Sequence, residues 1–266
     1  MITLLGTGHV FKIAEPVSFI VKHMWPDAVL VELDRARYEA LLLPSNDGND
    51  GNVKQPWAYR RMAKYQKELA EEYGSQVGAE FVAAIETGRT IGAAIEFIDT
   101  DAVRTMEDIW KEMPFFERTR FSLSMFTDRF RRQTKADQTL REMEENEDVY
   151  FATMRKKYPT LVRKLIDERN EHMVSKIKEI KGAYKNILVV IGDGHVEGMA
   201  KLLEGETIRK IRLKTLMLTD EMNVLRSELW SGRTPDNSNV NISPEDGNVN
   251  MMPKDTEQES RTEEEE

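Results

Sequence analysis

Short apolar runs alternate with helically spaced segments through the first hundred residues. Ile2 to Leu5 reads as a buried strand, Pro16 to Trp25 as a helix, Ala28 to Leu33 as a second strand and Asp34 to Leu43 as another helix. A Gly/Asn/Asp-rich loop follows at Ser45 to Asn52. The period is then helical from Trp57 to Glu86, with a break near Gly74-Ser75. Ala93 to Ile98 forms a third strand that feeds a helix from about Asp101. This alternation predicts parallel βαβ units, because parallel neighbours need a crossover and a helix supplies it.

From Phe115 to Lys181 the pattern changes to long, charged, glycine-poor stretches punctuated by Pro159, which predicts an insertion of two or three amphipathic helices. The strand pattern returns at Asn186 to Ile191, followed by a short helix over Val196 to Leu203. A last strand at Thr207 to Leu213 and a closing helix at Leu216 to Trp230 complete the folded part. The expected fold class is therefore α/β, a central mostly parallel sheet with flanking helices, over residues 1–230. Residues 231–266 are rich in Asn, Ser, Asp and Glu and end in four glutamates, so an acidic, disordered tail is expected.

Composition narrows the function classes. A net charge of −9 disfavours nucleic-acid partners, since a polyanion is repelled. The chain has no cysteine, which removes disulfides, thiolate metal sites and a cysteine nucleophile, and suits a reducing, cytoplasmic setting. No apolar run approaches the length of a membrane span, and no signal peptide is expected.

Against this background two short stretches stand out. LLGTGHV near the start and VVIGDGHV far downstream each place Gly-x-Gly-His after an apolar run, and they use two of only four histidines, His9 and His195. Chance predicts about 0.2 Gly-x-x-His matches for such a composition. In a parallel sheet the segments after the carboxyl ends of the strands line one crevice, where ligands bind. Four predicted strands end there in reactive groups: Gly8 and His9; Glu32 and Asp34; Asp99 and Asp101, with Arg104 one turn on; Asp193, Gly194 and His195. Imidazole nitrogens with carboxylate oxygens suit Zn, Mn, Fe or Co. An ion so held activates water and polarises a carbonyl, and a carboxylate such as Glu32 can serve as ligand or general base.

Each group has a plainer role to weigh. Glu32 can pair with Arg35 or Arg37 at the surface, Asp99 or Asp101 can cap the next helix, and Asp193 can be a turn residue. Glu168 and His172, four apart on a predicted helix, suit a solvated pair. There is no Gly-x-Ser-x-Gly elbow, His-Glu-x-x-His or phosphate loop, and the third glycine of a dinucleotide fingerprint is missing, with Phe11 in its place.

The segments GTGHV, VELDRARYEAL, GAEFVAAIETGRTIGAAIEFIDTDAVRTM, DERNEHMVSKI and VVIGDGHVEGM, in that order, resemble the TraB/PrgY family over about residues 1–213. That family is related to the Tiki metalloproteases and more distantly to GumN, ChaN-like and erythromycin-esterase-like proteins. The resemblance implies an α/β fold with helical insertions. Through the Tiki branch it implies metal-dependent peptidase activity with Mn or Co. Carried onto this chain, the essential histidines are His9 and His195 and the glutamate is Glu32. Asp99, Asp101, Arg104, Glu80, Arg169 and Asn170 fall in further blocks of the family, and Arg104 and Arg169 are candidates for holding a substrate carboxylate or an oxyanion. Many relatives continue into C-terminal membrane helices, where this chain has its acidic tail.

Two functions are carried forward. One is a metal-dependent hydrolase, a peptidase using Mn, Co or Zn on a peptide or small-molecule substrate, with His9, His195 and Glu32 as ligands. Gly8, Asp99, Asp101, Asp193, Gly194, Asn170 and Glu80 then line its substrate. The other is a non-catalytic protein that sequesters a peptide, a haem-like ligand or a partner through the helical insertion, or uses that insertion to form a homodimer.

Overall fold

Valine, isoleucine and leucine alternate along the strands so that both faces of the sheet are apolar, and two helical layers cover them. The computed structural model describes residues 1–8, 11–42, 76–127 and 147–231. Five strands, β1 (Ile2–Thr7), β2 (Ala28–Val31), β3 (Ala94–Phe97), β4 (Ile187–Gly192) and β5 (Ile208–Ile211), form one sheet in the order β3-β2-β4-β1-β5. Every pairing is parallel. The expected α/β class holds, and the strand entering late in sequence takes the centre. Thr7 of β1 lies opposite Gly192 of β4, so the two Gly-x-Gly-His segments leave the sheet from adjacent strands.

Between the strands run α1 (Ala14–Met24), α2 (Arg35–Leu42), α3 (Ala79–Thr90), α4 (Ala102–Glu112), α5 (Phe115–Thr127), α6 (Glu147–Lys157) and α7 (Pro159–Val162). A π-helical turn at Arg163–Asp167 joins α7 to α8 (Glu168–Ile180). The chain closes through α9 (Asp193–Leu202), α10 (Leu213–Met217) and α11 (Thr219–Ser231).

Period-two alternation sorts the core. On one face Leu5, Val29, Val31, Leu188 and Val190 meet Val17, Ile20 and Val21 of α1, Phe81 and Ile85 of α3, and Met222, Leu225 and Leu229 of α11. On the other face Leu4, Leu30, Val189 and Ile191 meet Met173, Val174 and Ile177 of α8 and Val196 and Met199 of α9. A smaller cluster, Met106, Ile109, Met113 and Leu161, ties α4 to α7.

Some boundaries differ from the pattern-based reading. β1 continues to Thr7, and α9 starts at Asp193 rather than Val196, so His195 lies inside its first turn. The expected last strand ends at Ile211, because Leu213 already opens α10, and the expected closing helix is two helices separated at Leu218. Of the Trp57 to Glu86 segment the described helix begins only at Ala79, after Gly78 at φ +81°. The loop at Ser45 to Asn52, the helical pattern from Trp57 to residue 75, residues 128–146 of the insertion and the tail after Ser231 lie outside the described residues. Pro159 does stand at a helix start. Among the described residues no helix is long and apolar enough to cross a membrane.

Candidate functional site

The carboxyl edge of the sheet receives its polar groups from three strands and one helix. Glu32 follows β2 directly and Asp99 stands two residues beyond β3, while β4 runs without a loop into Asp193-Gly194-His195 at the start of α9. Helix α8 packs on the same face as α9 through Met173, Val174 and Ile177. That packing brings Arg169 and Asn170, in its first turn, over the strand ends.

His195 is buried, and its Nδ1 lies 2.7 Å from Asn170 Oδ1. An amide oxygen only accepts, so Nδ1 carries a proton toward Asn170 and Nε2 is the ring nitrogen that faces Glu32 and Arg169. Nε2 lies 3.2 Å from Glu32 Oε1 and 3.4 Å from Arg169 Nη1. Glu32 Oε2 accepts from the backbone N–H of Gly192 at 2.6 Å. The Arg169 guanidinium is shared. Nη2 donates to Glu32 Oε1 and, at 2.7 Å, to Asp99 Oδ2; Nε donates to Asp99 Oδ1 at 2.9 Å; Nη1 donates to the Leu165 carbonyl at 3.1 Å. On the far side of Asp99, Arg37 donates from Nη2 to Oδ2 and from Nε to Asp34 Oδ2 at 2.6 Å.

The two carboxylates that Arg169 bridges are almost sealed from water: the side chain of Asp99 is 1% exposed and that of Glu32 3%. Burial disfavours charge, and a partner of opposite sign offsets that penalty. Burial pushes the Asp99 carboxyl up, but the hydrogen bonds and charge of Arg169, with Arg37 behind it, hold it below the usual carboxylate value. Burial likewise pulls Arg169 down, yet attraction to Glu32 and Asp99 leaves it above the usual arginine value. The result is a run of alternating charge, Glu32, Arg169, Asp99, Arg37 and Asp34.

Five of the residues singled out in the sequence therefore meet here: Glu32, Asp99, Arg169, Asn170 and His195. Glu32 pairs with Arg169, and Arg37 bonds Asp34 and Asp99 instead. The remainder sit apart or do other work. Asp101 is the N-cap of α4, accepting from the Arg104 N–H at 2.9 Å, and Arg104 is exposed on that first turn. Asp193 accepts from Arg212 Nε at 3.0 Å and Nη2 at 2.7 Å and from the Leu213 N–H at 2.8 Å, which ties the start of α9 to the end of β5. Gly194 is the second residue of α9, Gly8 lies just past β1 beside Phe11 and Leu213, and Glu80 is buried on the first turn of α3. Glu168 bonds Arg163 and Lys164 rather than His172. His9 lies outside the described residues. Among the described residues no three His, Asp or Glu side chains form a group able to hold a metal ion.

One contributor, Gly198, escaped the sequence reading. A Cβ at Gly198 would overlap Asn170 Nδ2 and stand 3.4 Å from its Cγ, so the glycine lets the amide reach His195. Gly6 has a parallel use, since a Cβ there would run into Asp193 Oδ1. A glycine three residues beyond a histidine in a helical stretch is the one signal that could have marked Gly198.

Comparison with known proteins adds the family context. The family model described as TraB/PrgY/gumN matches residues 1–213. An uncharacterized protein of Methanocaldococcus jannaschii is 28% identical over 211 residues, covering 76% of this chain and 53% of its own length. The chain thus spans about half the length of that relative.

Proposed function

Because the chain belongs to the TraB/PrgY/gumN family and keeps an oriented imidazole against a buried carboxylate at the carboxyl edge of its sheet, we propose that it is a metal-dependent hydrolase acting on peptides. The observation that carries this reading is the placement of His195. Asn170 fixes its Nδ1 proton, as the outer partner of a metal-bound histidine does, and its Nε2 faces Glu32 Oε1 at 3.2 Å. The pair sits beside a cation already, the Arg169 guanidinium, and a nitrogen and an oxygen held that close could share a metal ion instead. The donor types suit Mn, Co or Zn. His195 and Glu32 would hold the ion together with His9, which lies two residues along the sequence from Thr7, the last residue of the strand paired with β4.

When bound, the ion would lower the pKa of a coordinated water and polarise a carbonyl. Within the chain itself, Glu32 acts as ligand rather than general base, because both its oxygens already accept from strong donors, Arg169 and the Gly192 N–H. Asp99 is fully engaged by two arginines and keeps Arg169 in place. Ligands of parallel sheets bind beyond the carboxyl ends of the strands, and a chain-like substrate would lie there. The absence of cysteine suits a reducing compartment, and the cytoplasm is the proposed location.

The test is hydrolysis of a mixed peptide pool followed by mass spectrometry. Protein stripped by a chelator should be inactive and regain cleavage with Mn²⁺, Co²⁺ or Zn²⁺, and His195→Ala should not recover. Cleavage by the stripped protein, or by His195→Ala at the parent's rate, sinks the reading.

A second reading, a non-catalytic binding protein or homodimer built on the helical insertion, draws on Phe115 and Phe116. These stand 71% and 82% exposed at the start of α5. Pull-down of a peptide that survives uncleaved on metal-loaded protein would favour it.

A further inference from the structure

We infer that the amino edge of the sheet carries a second site, one that takes a small planar aromatic carboxylate. It stands at the other end of the strands from the Glu32 and His195 cluster and is independent of the hydrolase reading. A cleft of about 430 Å³ is lined there in part by Trp25, Asp27, Ile91, Tyr184 and Lys185. These residues belong to the three segments that lead into β2, β3 and β4, which are neighbours in the sheet. The volume falls in the range of small-ligand sites.

Trp25 is what singles this cleft out. It caps α1 at φ +48° and ψ +57°, and among the described residues it is the one non-glycine residue at positive φ. Glycine or asparagine ordinarily takes such a helix end, because a large side chain is strained in the left-handed region. Pro26 follows, and a residue before proline is driven toward extended backbone, which adds to the cost. Burial returns little of it, since Trp25 is 52% exposed. Strain kept at an exposed aromatic marks a side chain placed for contact with something outside the chain.

The surroundings select the ligand. Tyr184 is half-buried and supplies a second aromatic side chain, and Ile91 adds an apolar one. Lys185 is exposed and, among the described residues, has no ion-pair partner. Asp27 is turned to the chain, its Oδ2 accepting from the backbone N–H groups of Lys185 and Asn186 at 2.7 and 2.8 Å. The Lys185 ammonium is thus left to pair with a ligand carboxylate, while the indole and the phenol meet its ring.

The probes are 2-naphthoate and its neutral counterpart 2-naphthamide. The readout is the indole Nε1–H resonance of Trp25, assigned by its loss in Trp25→Phe. Titrating the full chain with 2-naphthoate should shift that resonance saturably. Lys185→Met should weaken naphthoate about threefold to fivefold, the scale of one exposed ion pair, and leave naphthamide binding unchanged. Trp25→Gly should melt no lower than the parent, because glycine accepts the backbone geometry, yet bind naphthoate about tenfold more weakly by calorimetry. A Trp25 resonance that stays put through millimolar naphthoate overturns the site, as does parent-like binding by Trp25→Gly. Equal loss of both probes in Lys185→Met overturns the carboxylate assignment. A Trp25→Gly protein that melts lower or fails to fold overturns the strain argument, and the titration of the parent and Lys185→Met still decides the site.

Discussion

Replacing Gly198 by alanine should separate stability from metal affinity. The added Cβ would overlap Asn170 Nδ2 and lie 3.4 Å from Cγ, so the amide must yield by roughly 1 Å, the scale on which positioning is lost. Asn170 is buried, and its amide is held by the 2.7 Å bond to His195 Nδ1, so yielding breaks that bond. The lost hydrogen bond costs about 1 kcal/mol, and alanine in place of glycine inside a helix returns about the same. Net stability should therefore move by less than about 1 kcal/mol in urea titration. The histidine loses its orienting partner, and losses of that kind lower metal affinity about 10–100-fold. Calorimetry with Zn²⁺ on the parent, Gly198→Ala, Asn170→Ala and the double variant checks this. The double variant should be no weaker than Asn170→Ala, since both act through one bond. Parent-like affinity in a folded Gly198→Ala, or fully additive losses in the double variant, would refute the reasoning.

Asp99→Asn should cost about 3–5 kcal/mol, because it leaves two buried arginine contacts without their carboxylate; urea unfolding at neutral pH measures it. The same group sets an acid limit. Its folded pKa is depressed, so its contribution is present above the unfolded value near pH 4 and is lost as pH falls through the lower folded one. Urea midpoints followed from neutral pH down through that range should drop in the parent and fall less steeply in Asp99→Asn. Glu117 of α5 accepts from the Thr160 and Leu161 N–H groups at 3.0 and 3.2 Å, capping α7 from a neighbouring helix. Glu117→Ala should cost about 1–2 kcal/mol, with Glu117→Gln recovering most of it in the same titration.

Strand identity was legible because buried strands are written as short apolar runs with polar stops, and Ala28 to Val31 and Ile187 to Gly192 both carry that signature. Strand order was not. Alternation predicts parallel units but says nothing of which late strand slips between two early ones, and β4 lies between β2 and β1 with α8 and α9 packed on one face. The repeated Gly-x-Gly-His marked the right sheet edge for His195. The partners of that histidine were harder to read: Asn170 looked like a substrate contact and is instead its orienting bond, since helix register across two elements decides the meeting. Arg37 looked like a surface residue of a short helix, yet it supports the buried Asp99. The π-helical turn before Arg169 leaves no periodic trace, and Gly198 reads in sequence only as a weak helix former.

The central claim is that His9, His195 and Glu32 share one ion. Elemental analysis of the purified protein, beside His9→Ala and His195→Ala made and handled identically, tests it most directly. The account predicts about one transition-metal ion per chain in the parent and almost none in either variant. A metal-free parent, or a His9→Ala protein that keeps the parent's metal content, would contradict it.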